Sequence, residues 1–364
     1  MAKESYLDIF LRLVKIQAPS GFEEPMMDAY SEAIRPFVDE VHGTPRGNVI
    51  AIRKGTNPEA PKVALAAHLD QIGFIIFNID PTGFVRFRKL GGPTTRAIMG
   101  QQIQILTEKG LVQGVVGQKP GHITTPAEAH TIPPIEDMYI DVGAASREEA
   151  AAMGVRVGLP ITYSAPSLRL ANGLIASPSV DDRAGVAAVV KVAEALSKSR
   201  PRATVYYIGT VEEEIGLRGA ETALHDLDVD MAVAVDTFPA GFQPDVNMRD
   251  LLYEVGKGPG LHVGEIQERV RIQSRQVHTW LRTTAEKTGI PHQVGVMSGG
   301  TDAMTMMQTR GGIPSATIGI PRRYSHSPIE VFDPRDAENL ISILVSAIGD
   351  LDPGFTTVRG ARKI

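Results

Sequence analysis

Apolar residues at positions 6, 9, 10, 13 and 16 recur at three- and four-residue steps, so the chain opens with a helix over 5–16 that hides one face. Pro19-Ser20-Gly21 ends it, and a second helix is expected over 24–37. Two strands follow, 48–53 and 62–67. The second reads Val-Ala-Leu-Ala-Ala, apolar on both faces, as suits a strand buried between helices.

The pattern changes after Asp70. From about 73 to 164 the chain reads as short strands (74–79, 85–89, 102–106, 111–116 and 138–142) punctuated by Gly and Pro. One helix is expected there, starting at Ser146, with Glu149 three residues on as a capping box. Residues 119–137 hold several prolines and two histidines without periodicity and read as a long loop. From about 168 helix and strand alternate again. Helices are expected over 182–196, 217–224 and 275–288, and strands over 203–209, 231–235 and 315–320. A last helix has Asp333 as N-cap and Pro334 at its first position, with Ala337, Leu340, Ile341, Leu344, Val345 and Ile348 facing inward. The expectation is an α/β domain, 1–71 and 167–364, interrupted by an inserted β domain of small-barrel size, 72–166.

Length and composition agree with this division. At 364 residues two domains are expected, and 43% hydrophobic with 22% charged residues is the make-up of a globular protein. A net charge of -5 gives no support for nucleic-acid binding. The basic run over 356–363 reads as a solvated end. There is no cysteine, so any metal must be held by His, Asp and Glu. No secretory signal is read, and no apolar run approaches the ~18 residues of a membrane span. A cytoplasmic protein is expected.

The chemistry gathers where strands end. Strand 62–67 runs into His68-Leu69-Asp70, and strand 203–209 runs into Glu212-Glu213-Glu214. Strand 231–235 runs into Asp236, and strand 315–320 into His326 a few residues on. The pair Asp181-Asp182 precedes a helix. Sites in open α/β sheets form at the carboxyl ends of strands. Singly, each residue also reads as a helix cap, a solvated acidic run or a hydrogen-bonded structural histidine. Together, two histidines and several acids offer the nitrogen and oxygen donors of a zinc or cobalt pair, and the cluster alone leaves both readings open.

Six motifs occur in a fixed order: His68-Leu69-Asp70, Asp181-Asp182-Arg183-x-Gly185, Glu213 through Gly219, Asp236, Gly299-Gly300-Thr301-Asp302-Ala303, and Tyr324-Ser325-His326-Ser327-Pro328. This series resembles the glutamyl and deblocking aminopeptidases, the metallopeptidase family that includes the self-compartmentalising tetrahedral (TET) aminopeptidases. The likeness spans nearly the whole chain, from Pro19-Ser20-Gly21-Phe22-Glu23 to the last helix. It departs in one place: a third acid, Glu212, precedes the usual pair, and the frame is taken from Ile215-Gly216-Leu217-Arg218-Gly219.

The resemblance implies a mixed sheet flanked by helices, of the phosphorylase/hydrolase-like aminopeptidase type, with an inserted small β-barrel. It implies two divalent ions per subunit, zinc or cobalt. His68 and Asp236 would bind one ion, Glu214 and His326 the other, and Asp181 would bridge them. Glu213 would be the general base and Asp70 would orient His68. A cis peptide is implied after Asp181. The substrates would be short peptides cut at their N-terminal bond, and the inserted domain would join dimers that build a tetrahedral dodecamer.

Other features read as structural. Gly299-Gly300-Thr301 and Gly258-Pro259-Gly260 lack the Lys-Ser/Thr ending of a P-loop and read as turns. His262, His278 and His292 read as surface or supporting residues, His122 and His130 as loop residues. Asp302 touches substrate or supports the site in one reading only. Two further function classes fit parts of the sequence. A glycoside hydrolase would use paired carboxylates, yet leaves His68 and His326 without a role, and 5% aromatic residues with one Trp is poor for sugar stacking. A non-catalytic binding protein is favoured only if a ligand or the base is missing, and none is.

Overall fold

Val63–His68 is buried along its whole length because it lies inside a parallel array, between Val205–Thr210 and Met231–Pro239. Met231–Pro239 pairs in turn with Ser315–Arg323, again in parallel. The computed structural model describes residues 4–247, 249–266 and 270–357, and among these twelve strands join one mixed sheet. Beyond Val205–Thr210 the sheet continues antiparallel through Val49–Arg53 and Glu40–Gly43. Beyond Ser315–Arg323 it continues through Glu330–Phe332, Ile175–Ser177 and Leu168–Arg169. Gly260–Ile266 also pairs with Ser315–Arg323 and carries Val270–Ile272 and Gln293–Ser298.

Helix Val180–Lys198 is rich in Ala and Val and buried on most sides. It lies between the sheet and the outer helices Tyr6–Leu13 and Pro334–Gly349, so small side chains are needed for close approach. The cap expected at Asp333 is in place, accepting from Arg335 N ahead of Pro334, and Ser5 and Asp8 form a capping box on the first helix. On the last helix Ile341 and Val345 are only half-buried, while Ile343 lies in the core.

Six strands close a barrel in the order Gly73–Ile79, Val85–Leu90, Ile140–Asp141, Gly110–Val116, Gln102–Thr107, Pro160–Tyr163. Its core is separate from that under the sheet and centres on Phe74, which meets Phe87 and Tyr163 edge-on with ring centroids 5.1 and 5.3 Å apart. Truncating such a side chain typically costs about 3–5 kcal/mol. Phe74→Ala is therefore expected to shift urea unfolding to markedly lower concentration; unfolding like that of the wild type would contradict this packing.

The structure corrects several expectations. Pro160–Tyr163, which closes the barrel, is too short to show alternation, and it opens on a proline, a position where the missing N–H is tolerated. Ser146 caps helix Arg147–Ala152, but Glu149 accepts from Ala145 rather than completing the box. The helix expected over 217–224 shrinks to Ala220–Ala223, because Gly216 and Leu217 adopt positive φ (119° and 59°) in a tight turn. Within the 119–137 loop lie two short 3-10 turns, Gly121–Ile123 and Glu128–His130. The basic run over 356–363 lies, from 358 on, outside the described residues. Among the described residues no helix is long and apolar enough to cross a membrane.

Candidate metal centre

Parallel register fixes the position of the site. His68 stands opposite Thr210, so the acidic run after Thr210 leaves the sheet beside His68, and Asp236 lies two residues past Ala234, the last residue paired with Val63–His68, on the same edge. Asp70, fully buried, ties these segments together. Its carboxylate accepts from Glu213 N (3.0 Å), Glu214 N (3.1 Å) and Ser20 Oγ (2.6 Å), and lies 3.3 Å from His68 Nδ1. Burial pushes the Asp70 carboxyl up, but these hydrogen bonds and His68 outweigh it and hold it below the usual range. Arg183, buried, donates from Nη1 to Leu69 O (2.6 Å) and from Nη2 to Gln71 Oε1 (2.8 Å), which fixes the loop that carries Asp70.

Asp181 lies at the middle of the cluster. Oδ1 is 3.1 Å from His68 Nε2 and accepts from Thr237 Oγ1 at 3.0 Å; Oδ2 is 3.2 Å from His326 Nε2 and accepts from Arg322. Asp236 Oδ1 is 4.0 Å from His68 Nε2, and Glu214 Oε2 is 3.4 Å from His326 Nε2. The peptide bond between Asp181 and Asp182 is cis. Asp182 Oδ1 accepts from Gly185 N at 3.0 Å as a helix cap. A Cβ at position 185 would meet that carboxylate at 2.4 Å, which explains the glycine. His326 Nδ1 is 3.2 Å from Gly92 O, at the edge of the barrel. That contact directs the Nδ1 proton to the carbonyl and leaves Nε2 towards the acids.

Burial, with neighbouring acids, pushes Glu214 up to about 8 and Asp236 up to about 7, and raises Glu213 well above its usual range. Asp181 runs the other way. Burial opposes its charge, but Arg322, His326 and His68 hold it well below the usual range. Buried acids this crowded call for cations. Glu214 Oε1 is buried without a hydrogen-bond partner, an acceptor that a bound cation would satisfy. Donor atoms of His68, Asp181 and Glu214 lie within 4.8 Å of one another, as do those of His68, Asp182 and Asp236. A cavity of about 460 Å³ opens here, lined by Asp181, Glu213, Glu214, Asp236, Arg322 and His326 on one side and by Met297 to Gly300 on the other. Asp182 is not on its wall, so Asp181 is the acid of the pair that faces the cavity. A neighbouring recess of about 500 Å³ shares Gly216 and Leu217 but none of the two imidazoles or the acids named above.

The structure thus brings His68, Asp70, Asp181, Glu213, Glu214, Asp236 and His326 to one place. It leaves Glu212 outside, paired with Arg46 at 2.5 Å. Asp302 is buried, accepts from Thr210 Oγ1 and is near enough to help raise Glu213. His122 and His130 are exposed on their loop. His262 is not a surface residue: it is buried against Tyr253 and Phe238, and burial lowers it to about 4. The sequence reading missed Arg322, Glu330, Thr237 and Ser20 as members of the cluster. An Arg-Arg pair after a proline reads as surface, and nothing local announces that Arg322 points inward; Ser20 alone lay within a quoted motif.

Several known peptidases resemble this chain over nearly its whole length. A lysyl aminopeptidase from Pyrococcus furiosus is 35% identical over 351 residues, covering 95% of this chain and 97% of its own. The structure of an aminopeptidase from Desulfurococcus kamchatkensis superposes with a TM-score of 0.91 at 36% identity, covering 96% of each chain. The Pyrococcus horikoshii TET1 peptidase, which can assemble into a tetrahedron or a large octahedral shell, superposes with a TM-score of 0.84 at 28% identity, over 95% of this chain and 100% of its own. The sequence profile of the M42 glutamyl aminopeptidases matches residues 47–343. With most of its length matched by that profile and its fold shared with these peptidases, the chain belongs to the M42 glutamyl aminopeptidase family, a family of peptide hydrolases.

Proposed function

We propose that this protein is an aminopeptidase whose site holds two divalent ions bridged by Asp181. The observation that supports this best is the division of the Asp181 carboxylate, one oxygen facing His68 and the other facing His326. His68 and Asp236 would hold one ion, His326 and Glu214 the other. Bound ions would supply Lewis acidity, making a water easier to deprotonate and polarising the scissile carbonyl. Asp70 keeps His68 oriented and, through two backbone N–H groups, also sets the direction of the Glu213–Glu214 pair. Glu213 lines the cavity without an assigned ion. As general base it takes the proton of the attacking water and passes it to the leaving amine.

A panel of aminoacyl-p-nitroanilides, offered to chelator-stripped protein with zinc, cobalt or manganese, tests activity, side-chain preference and metal together. Turnover with some member and only after metal is returned is expected. Turnover that EDTA leaves untouched would favour a two-carboxylate glycosidase or another metal-free chemistry instead.

The same reading extends to assembly. The TET1 peptidase forms a tetrahedron or a larger shell. For this chain the barrel is proposed to join dimers, and the dimers to build a hollow dodecamer that admits short or unfolded peptides. Light scattering is expected to report a mass near twelve times 39.2 kDa. A strict monomer that is fully active at micromolar concentration would contradict it.

A further inference from the structure

The centre already contains a cation that the catalytic reading does not use. Arg322, at the end of Ser315–Arg323, is 2% exposed and lines the cavity. Its Nη2 donates to Asp181 Oδ2, and its Nε donates to Glu330 Oε1 at 2.8 Å. Glu330, equally buried, accepts Asp181 N at 3.1 Å and His326 N at 2.9 Å. Arg322 and Glu330 therefore hold both the bridging aspartate and the second histidine. Nη1 of Arg322 is buried without a hydrogen-bond partner.

The position of this charge matters more than its presence. Asp181 Oδ2 is the oxygen that faces His326, so the guanidinium shares it with whatever cation His326 and Glu214 take up. A carboxylate oxygen has lone pairs for two partners, but a fixed positive charge beside a divalent ion repels it at short range in a poorly screened site. The oxygen facing His68 carries no such charge; its other donor is the neutral Thr237 hydroxyl.

From this geometry we infer that Arg322 is a resident counter-cation of the centre, which steadies the acids before metal arrives and weakens the hold on the ion at His326 and Glu214. That ion then binds second and leaves first. The inference rests on the two-ion reading proposed above.

The test is zinc binding to the stripped full-length protein in competition with a chromophoric chelator, for wild type, Arg322→Met and Arg322→Lys. Wild type is expected to bind two ions in separable steps. Arg322→Met should tighten the weaker step by about tenfold or more and leave the tighter step nearly unchanged. Its metal-free form should melt below wild type, with the gap closing as zinc saturates the site. Arg322→Lys keeps the charge without the fork and should keep the weak step. An unmoved or weakened second step in Arg322→Met, with the first step intact, would overturn the inference while leaving the two-ion reading standing. Fewer than two ions in wild type would overturn both. Should metal-free Arg322→Met fail to fold, protein purified with zinc decides the matter by its rate of ion loss to EDTA. Slower loss of the second ion than in wild type is expected, and equal or faster loss would count against the proposal.

Discussion

Glu213→Gln is expected to lower turnover by about 10²- to 10⁴-fold, the usual cost of losing a general base, or about 3–5 kcal/mol of barrier. The amide keeps the shape of the side chain and cannot accept a proton. Because Glu213 is assigned to neither ion, metal content should stay at the wild-type value, and KM should move little. Glu214→Gln is expected to behave differently. Its Oε2 lies 3.4 Å from His326 Nε2, and losing that charge should lower metal content first and activity as a consequence. Glu212→Gln is the control, since this side chain pairs with Arg46 away from the cavity. Turnover and elemental analysis on all three variants separate these roles. A dead but fully metallated Glu212→Gln would mean the frame is off by one residue.

His68→Ala and His326→Ala should each remove one ion and nearly all activity, for different local reasons. His68 is 2% exposed, lies 3.3 Å from Asp70 Oδ1 through Nδ1 and faces Asp181 Oδ1 through Nε2. His326 is partly open to the cavity and is oriented by the Gly92 carbonyl from the edge of the barrel. His68→Ala should therefore also lower the melting temperature, by opening a buried space and removing one partner from each of the buried carboxylates Asp70 and Asp181. His326→Ala should melt closer to wild type. Elemental analysis with thermal melts checks both; unchanged metal content in either variant would remove that histidine from the proposed ligand set.

The parallel core was legible because its strands are short apolar runs that end in polar residues, a pattern that depends on local sequence alone. Asp333-Pro334 likewise announced the last helix, since capping acts within one turn. The sub-sheet of Gly260–Ile266 and Gln293–Ser298 was not legible. Its glycines look like turn residues, yet they are there to admit aromatic rings. A Cβ at Gly260 would meet Tyr253 at 2.6 Å and Phe238 at 2.7 Å, and one at Gly295 would meet Tyr253 at 2.9 Å. Those rings come from other segments of the chain, so no local pattern marks the need.

The site divided in the same way. Residues in ordered motifs were found through a family resemblance, and the sheet gave a physical reason for their meeting at one edge. Arg322 and Glu330 were missed because their partnership spans the turn that carries His326, and each alone looks like an ordinary surface charge. Asp70 was assigned to His68 alone; its second task, accepting the backbone N–H groups of Glu213 and Glu214, depends on a turn that sequence does not specify.

A pair of ions bridged by Asp181 is proposed to carry the activity. This is tested most directly by counting divalent ions per chain in fully active protein, and again after EDTA and after metal is returned. Two ions per chain are expected in active protein, no ions and no activity after EDTA, and recovery of both together when metal is returned. Full activity in protein stripped of metal would contradict it.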